Sequence, residues 1–562
     1  MVKRILNILN KEYAGLHRAA YLLGIFALLS QVLALVRDRL LAHSFGAGAV
    51  LDVYYAAFRI PDLIYISVAS LVSVTVLIPF LAEKINPDVE RGSKEAKNFL
   101  NSVFSAFFTL IIFVAAAAFL FAPVLANVIA PGFSIEQKDE LTILMRILLL
   151  SPILLGMSSL LGSVVQVYRK FFVYAIAPLL YNIGIIVGII FLYPIFGLKG
   201  VAFGVILGAF MHLLIQIPVV VRHRLLPRPK FAFWDKELAR VAALSLPRTL
   251  ALSANQITLI ALIAFASLLT EGSVAVFNFS FNLQSVPLSI IGVSYSIAAF
   301  PTLARLFAVN KTEEFIEQVV TAARHIIFWA TPIIILFIVL RAQIVRTILG
   351  TGAFDWSDTR LVAAALAVFA TSVLAQSLQL LFVRAFYAAG ETKIPVIVNV
   401  LSAFLIGILA YVSVKIFDTS ETLRYFMESL LRIEGVEGSA IVMLALAYSI
   451  GMIINCIILA ILFQRHFGST RAPLTSVFAQ SFSASVIMGF VAYEFLDVFG
   501  NMFNLDTFLG VFAQGLFAGV IGIAVGILVL VLLGNNEIRE VLGSAHNKVK
   551  RKEVVAPDVR EL

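Results

Sequence analysis

Long apolar stretches alternate with short polar connections along almost the whole chain. Many of these stretches reach the roughly 20 residues that an α-helix needs to cross a bilayer. Their pattern predicts an all-α polytopic membrane protein with about fourteen spans. The predicted spans are 16–36, 62–82, 102–129, 140–166, 173–195, 201–221, 241–268, 274–300, 318–340, 360–383, 394–416, 440–464, 474–495 and 508–533.

The composition agrees with this pattern and excludes several classes of protein. Of the 562 residues, 61% are hydrophobic and 13% are charged, whereas soluble domains carry about 25% charged residues. Soluble enzymes, secreted disulfide scaffolds and disordered proteins are therefore excluded. The single cysteine, Cys456, excludes an internal disulfide and any cysteine-based metal centre. We predict no cofactor.

Basic residues are concentrated in the N-terminal segment, the linker RHRLLPRPK and the C-terminal tail around HNKVKRK. Short connections rich in Lys and Arg stay on the cytoplasmic side of a membrane. With an even number of spans, this distribution predicts that both termini are cytoplasmic. The net charge of +9 is then a feature of membrane topology, and we predict no nucleic-acid partner.

The chain also repeats itself at an offset near 220 residues. The landmarks Gly48–Pro79 and Tyr168–Asn182 recur as Gly272–Pro301 and Tyr387–Asn399. Two copies with an even number of helices share one orientation, an arrangement typical of transporters that work by alternating access. The predicted parts are a cytoplasmic segment 1–15, an N-lobe 16–225, a basic cytoplasmic linker 226–240, a C-lobe 241–467, two further helices 468–534 and a basic cytoplasmic tail 535–562.

The densest group of ionisable residues between the first two spans lies in LVRDRLLAHSFGAGAVLDVYYAAFRIPD. Charges at membrane depth require water, a partner or a functional role, and arginine donates paired hydrogen bonds that suit a phosphate or pyrophosphate. One interpretation is a substrate site in a central cavity; the other is a water-exposed loop with structural ion pairs. The candidate binding residues here are Arg37, Asp38, Arg39, Asp52 and Arg59.

Four further residues are candidates for structural or gating roles, and one more arginine is a candidate for the cavity. Gly46 and Gly48 loosen the backbone, and Pro61 interrupts the hydrogen bonding of the second helix. Arg384 is expected to close the tenth helix on the cytoplasmic side. Arg248, which follows a proline in LSLPRTLALSANQ, is expected to face the cavity.

No catalytic motif stands out in the sequence. The acidic pair Asp355 and Asp358 lies on a predicted outer loop, where such a pair more often caps a helix than binds a metal. The histidines are scattered and lack the spacing of a metal site. We therefore predict a protein that is not an enzyme and holds no metal.

The segment VRDRLLAHSFGAGAVLDVYYAAFRIPDL resembles the MurJ/MviN family of lipid II flippases, which belongs to the multidrug/oligosaccharidyl-lipid/polysaccharide exporter superfamily. The resemblance extends from about residue 15 to residue 470 and implies two six-helix lobes followed by two helices. The shared motifs are RDxxxAxxFGAGxxxD from Arg37 to Asp52, APGF at Ala130–Phe133, YRKF followed by AP and N, GSV at Gly272–Val274, FPTLARL, and RAFYAAGETKIP at Arg384–Pro395.

Several positions depart from the family pattern. Family arginines fall on Gln31 and Asn282 of this chain, and the family's double arginine after the second-helix proline is replaced around Tyr65 and Ile66. The basic residue just before that proline is retained as Arg59. The resemblance thus implies a cavity that has lost several of the positive charges used on a lipid pyrophosphate.

The resemblance implies a flippase that moves a polyprenyl-pyrophosphate-linked cell-wall precursor, foremost lipid II, from the cytoplasmic to the outer leaflet of a bacterial inner membrane. Its partners would be the lipid-linked saccharide, membrane lipids and proteins of cell-wall synthesis, and we predict a monomer. Three alternatives stay open: a flippase for another lipid-linked oligosaccharide, a cation-coupled drug exporter of the same superfamily, and a non-transporting membrane scaffold in envelope assembly. The C-lobe offers little intramembrane acid for cation coupling, which disfavours the exporter.

Overall fold

The computed structural model describes residues 16–69, 74–85, 93–230, 236–468 and 474–539. Throughout these ranges the ordered elements are helices, and no strand occurs among them. The predicted all-α class is confirmed. Each predicted span lies at least in part on helix, as expected for a chain that must satisfy its backbone hydrogen bonds inside lipid.

The described residues contain twenty-four α-helices, labelled here in chain order. The helices of the predicted N-lobe are α1 Leu16–Phe45, α2 Ala49–Ala57, α3 Arg59–Ile64, α4 Val74–Ala82, α5 Lys94–Leu120, α6 Ala122–Ile129, α7 Ile135–Leu148, α8 Leu150–Val167, α9 Phe171–Val187, α10 Tyr193–Phe196, α11 Leu198–Leu214 and α12 Ile217–Arg222. The remaining helices are α13 Lys236–Ser267, α14 Ser273–Pro287, α15 Ser294–Ala308, α16 Thr312–Val339, α17 Arg341–Ile348, α18 Trp356–Ala370, α19 Val373–Ala388, α20 Lys393–Thr419, α21 Glu421–Leu431, α22 Ile441–Phe467, α23 Leu474–Gly500 and α24 Phe508–Leu532.

Ten helical segments in the described ranges are long and apolar enough to cross a membrane, or eleven if the bent pair α18 and α19 is one span. That pair bends by 44°. The first and seventh predicted spans, and the described parts of the second, lie on helix but are not among the segments that meet this criterion. The protein is therefore a multi-pass membrane protein, and fourteen spans remain a prediction.

The chain forms two compact units, which are described separately. The first consists of Met1–Leu283, Ile348–Ala365 and Glu391–Asn455, and the second of Gln284–Thr347, Leu366–Gly390 and Cys456–Leu562. These units interleave along the chain. The division at the basic linker into two six-helix lobes therefore remains a prediction from the sequence repeat.

In the first unit, α9 and its π-helical extension Gly188–Leu192 pack closely against α11. Gly184 faces Gly208, and Gly188 faces Gly204, so that a Cβ atom on any of these glycines would collide with backbone of the opposite helix. Small residues that let two backbones approach are the usual means of packing helices in lipid.

In the second unit, α23 and α24 pack on each other, and α23 packs on α16. Just beyond α24, the Glu537 carboxylate accepts a hydrogen bond from Arg324 Nε at 3.0 Å and lies 2.9 Å from Arg324 Nη2. Ile538 is buried with Phe328 in the same region. The end of the described chain is thus attached to α16 by a charged pair and by apolar packing.

Two π-helical segments fall at corresponding places in the two sequence copies. Tyr65–Ala69 follows α3, and Leu288–Val293 follows α14. Their offset matches the spacing of Gly48 and Gly272. Each π segment inserts a residue into the helical ladder close after a proline, Pro61 or Pro287, and such segments are frequent at functional sites. The sequence repeat therefore has a structural counterpart.

Candidate functional site

Arg37 lies in the last third of α1 with its guanidinium enclosed by polar side chains. Its Nε and Nη2 donate to Asp38 Oδ1 at 2.9 Å and 2.7 Å. Its Nη1 donates to Asn182 Oδ1, on α9, at 3.2 Å. The Asn182 amide is itself oriented, because its Nδ2 donates to the Pro178 carbonyl oxygen at 3.2 Å. The guanidinium is thus held in a fixed orientation while about a fifth of the side chain stays exposed.

Asp38 is buried and is held from two sides. While Oδ1 accepts from Arg37, Oδ2 accepts from Asn282 Nδ2, on α14, at 3.3 Å. Asn282 is the position where the family pattern has an arginine. Here a neutral amide takes that place, so Arg37 and Asp38 form a charge-balanced pair without a second cation on α14.

Arg59, at the start of α3, is buried and has an incompletely used guanidinium. Its Nη2 donates to Asn278 Oδ1, and the Asn278 amide is fixed by donating to the Val274 carbonyl oxygen at 2.7 Å. Within the described residues Arg59 Nε has no hydrogen-bond partner, nor does the buried hydroxyl of Tyr55. A buried cationic donor without an acceptor is costly, so this point would be stabilised by an anionic or polar ligand.

Asp52 has a different environment from the other candidate residues. Both of its carboxylate oxygens accept backbone hydrogen bonds, from Gly272 at 2.7 Å and from Ala275 at 2.8 Å. A carboxylate at the first turn of a helix satisfies otherwise unpaired N–H groups and complements the helix dipole. The structure therefore gives Asp52 a helix-capping contact across the two sequence copies.

The other arginine candidates, Arg39, Arg384 and Arg248, lie on α1, α19 and α13. Arg39 Nη1 donates to the Ile348 carbonyl oxygen at 3.2 Å. Arg384 is half-buried on α19, in the second compact unit. Arg248 belongs to α13, but its side chain lies outside the described residues.

Gly46 and its surroundings show why the backbone turns between α1 and α2. Gly46 has φ +63°, a conformation that favours glycine, and an added Cβ would lie 2.7 Å from the Ala353 carbonyl oxygen. Gly48 is extended and precedes α2. Pro61 lies inside α3, and the helix break at Phe58 comes just before it, because proline cannot donate to the Ala57 carbonyl.

Sequence reasoning did not select the amides that orient the cluster. Asn182 is one of the repeat landmarks and Asn282 is a departure from the family pattern, whereas Asn278 belongs to neither group. The two asparagines of α14, Asn278 and Asn282, are four residues apart, which places both amides on one face of the helix. This spacing is the feature of the sequence that points to them. Asp358, considered as half of an acidic pair, accepts from the backbone N–H of Ala47 at 3.0 Å.

An ion pair between the predicted N-lobe and the linker that follows it lies beyond the end of α4. Lys84 Nζ donates to Glu237 Oε1 at 2.8 Å. The pKa of Lys84 is raised above its usual value, chiefly by this hydrogen bond. The lysine is therefore protonated at neutral pH, and the contact is a salt bridge between the connection after α4 and the first turn of α13.

Comparison with known proteins decides the family. The profile described as "Lipid II flippase MurJ" matches residues 41–514, which is most of the chain. The chain belongs to the MurJ lipid II flippase family. The family named from the sequence motifs is thereby confirmed, and it is a family of transporters rather than of catalysts.

Individual relatives and solved structures agree with this assignment. A protein of Buchnera aphidicola subsp. Schizaphis graminum, described as "Probable lipid II flippase MurJ", is 29% identical over 391 residues, covering 68% of this chain and 74% of that protein. The structure "Lipid II flippase MurJ, inward closed conformation" has a TM-score of 0.71 at 21% identity and covers 93% of this chain and 100% of that one.

A more distant structure shares the fold. An inward-facing multidrug resistance MATE family transporter of the MOP superfamily has a TM-score of 0.62 at 14% identity, covering 78% of this chain and 94% of that one. This similarity shows that the chain shares the fold of that transporter.

Proposed function

We propose that this protein is a lipid II flippase of the bacterial cytoplasmic membrane and not an enzyme. The observation that carries the proposal is the family match over residues 41–514. The relatives are named for lipid II, a polyprenyl-pyrophosphate-linked saccharide. The lipid-linked substrate and the surrounding membrane lipids are then its partners, while action as a monomer and contacts with cell-wall synthesis proteins rest on the sequence alone.

The pyrophosphate of the cargo would bind near Arg59 and Arg37. Arg59 offers an unused Nε donor in a buried position, with the Tyr55 hydroxyl as a second donor. Arg37 is already neutralised by Asp38, so it would contribute hydrogen bonds more than net charge. Arginine guanidinium and phosphate oxygens form short, charge-assisted hydrogen bonds. The site thus favours one anionic headgroup over a neutral or cationic drug.

Transport would proceed by alternating access of the two predicted lobes. With cytoplasmic termini, the contacts of Asp52 with Gly272 and of Ala47 with Asp358 lie at the outer end. The Lys84–Glu237 salt bridge lies at the inner end. Opening one set of contacts while keeping the other would expose the arginine site to one leaflet at a time. The movement of cargo would be from the cytoplasmic to the outer leaflet.

The test is native mass spectrometry of the protein purified in mild detergent, combined with lipid II translocation in proteoliposomes. We expect a bound polyprenyl-pyrophosphate saccharide of the mass of lipid II, lost in Arg59→Ala and weakened in Arg37→Ala. Because one charge-assisted hydrogen bond contributes about 1.5–3 kcal/mol, translocation should fall about tenfold or more in Arg59→Ala. Arg146→Ala is the matched control, since Arg146 donates to the Phe119 carbonyl oxygen and stacks on its ring.

Three results would count against the proposal. Unchanged lipid II binding and translocation in both arginine variants would show that Arg37 and Arg59 do not form the binding site. A bound lipid-linked oligosaccharide of another mass would show that the cargo is not lipid II. Bulk phospholipid alone, with no lipid II translocation by the wild-type protein, would favour an exporter or a scaffold.

A further inference from the structure

Helix α21, Glu421–Leu431, is a short amphipathic helix between two membrane-spanning helices, α20 and α22. It begins with Ser420, whose side chain accepts a hydrogen bond from the Leu423 N–H at 3.3 Å. It ends at Arg432, which adopts a left-handed conformation with φ 59°. The helix is therefore a defined element with a start and a stop.

One part of its apolar surface is attached to the protein. Met427 and Leu431 are buried, and Ile433 is buried directly after the helix. Arg360, on α18, fixes the exit from the helix: its Nε donates to the Arg432 carbonyl oxygen at 2.9 Å and its Nη2 to the Glu434 carbonyl oxygen at 3.2 Å. The position of α21 against the rest of the first unit is thus determined by packing and by hydrogen bonds.

The adjoining part of the apolar surface is mostly left uncovered by the described residues. Phe426 is 57% exposed and Leu430 is 60% exposed, and the two lie four residues apart, on one face of the helix. Two neighbouring large apolar side chains held outward on a rigid helix would be unfavourable in water.

The opposite arc of the helix is polar. Glu421, Arg424 and Glu428 lie on this side, and Arg424 and Glu428 line an open cavity of about 740 Å³ together with Asp418. Glu428 also accepts a hydrogen bond from the Ser439 hydroxyl at 2.7 Å. One side of α21 thus suits water and the other suits an apolar medium, which is the pattern of a helix lying in a membrane interface.

The end of α20, directly before α21 in the chain, carries residues typical of a membrane interface. Along α20, Phe404, Ile408 and Tyr411 are exposed on a segment hydrophobic enough to cross the bilayer. Lys415 lies one turn after Tyr411, near the end of α20, and its Nζ is 5.8 Å from the Tyr411 ring centroid. Tyrosine and lysine at the end of a span mark the membrane interface. Helix α21 begins at Glu421, six residues after Lys415.

We propose that α21 is an interfacial anchor whose Phe426 and Leu430 side chains insert between the headgroups and acyl chains of the membrane. The partner is the lipid surface, because α21 starts two residues after the end of α20, a span with exposed apolar side chains and with Tyr411 and Lys415 near its end. Since Glu421, Arg424 and Glu428 together carry a net charge near −1, insertion depends on the apolar side chains and not on anionic lipid. The anchor holds the connection between α20 and α22 at a fixed depth.

Spin-label accessibility in nanodiscs tests this inference on the full-length protein. The lone buried cysteine is removed by Cys456→Ser, or by Cys456→Ala if the serine variant is unstable, and single cysteines are introduced by Phe426→Cys and Leu430→Cys. Glu421→Cys on the polar arc is the matched control, and Ile408→Cys on α20 is the lipid-facing reference.

We expect the labels at 426 and 430 to be several-fold more accessible to oxygen, relative to a water-soluble nickel reagent, than the label at 421. The ratio should be the same in phosphatidylcholine and in phosphatidylcholine with phosphatidylglycerol. Equal nickel accessibility at 421, 426 and 430 would overturn the proposal. Labels at 426 and 430 shielded from both reagents, with dipolar broadening between copies, would overturn it in favour of a protein–protein contact.

Discussion

The carboxylate of Asp52 accepts the backbone N–H of Gly272 at 2.7 Å, joining α2 to the connection that begins α14. Its second oxygen accepts from Ala275 at 2.8 Å. A reciprocal contact exists, in which the Ala49 N–H donates to Glu271 Oε1 at 3.2 Å. Each sequence copy therefore places a carboxylate at a helix start of the other copy.

Removing the charge of Asp52 should weaken this junction. In Asp52→Asn, one amide oxygen replaces two carboxylate oxygens and the interaction with the start of α14 loses its ionic part. We expect a loss of about 1–3 kcal/mol in stability, measured as a lower midpoint of thermal unfolding in detergent. Asp506→Asn, on the exposed connection before α24, is the control and should change stability by less than about 0.5 kcal/mol. Equal midpoints for the two variants would contradict the capping role.

A side chain at Gly272 should be tolerated less well than one at Gly197. Both glycines have positive φ, +87° and +61°, but a Cβ at Gly272 collides with the Ala47 carbonyl oxygen, whereas a Cβ at Gly197 meets nothing within 4 Å. Gly197→Ala carries only the conformational penalty, about 1–3 kcal/mol, because φ 61° and ψ −146° lie in a region open essentially to glycine alone. Gly272→Ala should lower the midpoint of thermal unfolding further, because the Asp52 junction must also shift. A Gly272→Ala variant as stable as Gly197→Ala would show that the junction adapts without loss.

The pair of Arg324 and Glu537 should contribute more to stability than an exposed pair. Glu537 is 4% exposed, so Glu537→Gln leaves Arg324 without its charged partner in a partly buried place. We expect a loss of about 1–3 kcal/mol, below the 3–5 kcal/mol of a fully buried pair, since Arg324 retains access to solvent. Glu314→Gln, which breaks the exposed pair with Lys311, is the matched control, and its effect should be within about 0.5 kcal/mol.

The salt bridge of Lys84 and Glu237 should be insensitive to pH across the physiological range. The pKa of Lys84 is raised above 10.5, chiefly by the hydrogen bond to Glu237. The contribution of this salt bridge to the free energy of unfolding is fully present below the unfolded-state pKa of Lys84. It is lost as the pH rises through the folded-state pKa. The coupling energy from a Lys84→Met and Glu237→Gln double-mutant cycle should be at most about 1 kcal/mol, because Glu237 is partly exposed. The coupling energy should stay constant from pH 6 to pH 9 and decrease in high salt. A loss of coupling energy within that pH range would contradict the prediction.

The cluster around Arg37 illustrates both the reach and the limits of sequence reasoning. The charged residues Arg37, Asp38 and Arg59 stand out in an apolar chain because charge at membrane depth demands a reason. Their partners do not stand out, since asparagines such as Asn278 are unremarkable in sequence. Asn278 contacts Arg59 although the two residues are 219 positions apart along the chain. No local sequence pattern encodes such a contact.

Arg39 and helix α21 make the same point in other ways. Arg39 is two residues from Arg37 and shares its chemistry, but on a helix the two side chains diverge by about 200°, and Arg39 contacts the Ile348 carbonyl oxygen instead. The stretch 417–437 has an ambiguous hydropathy pattern. Its apolar positions fall at helical spacing. Which of these side chains are buried and which are exposed depends on packing in the folded protein, which the sequence does not show.

The sequence by itself determined what depends on local composition and periodicity: the membrane class, the places of the helices, the internal repeat and the identity of the family. These properties follow from the free energy of placing apolar and charged groups in lipid, which acts residue by residue. The tertiary structure alone decided that Asp52 caps α14, that Asn282 holds Asp38 and that Phe426 faces outward. Those outcomes depend on which distant backbone groups and side chains are brought within hydrogen-bonding distance, and only the folded arrangement of the helices sets them.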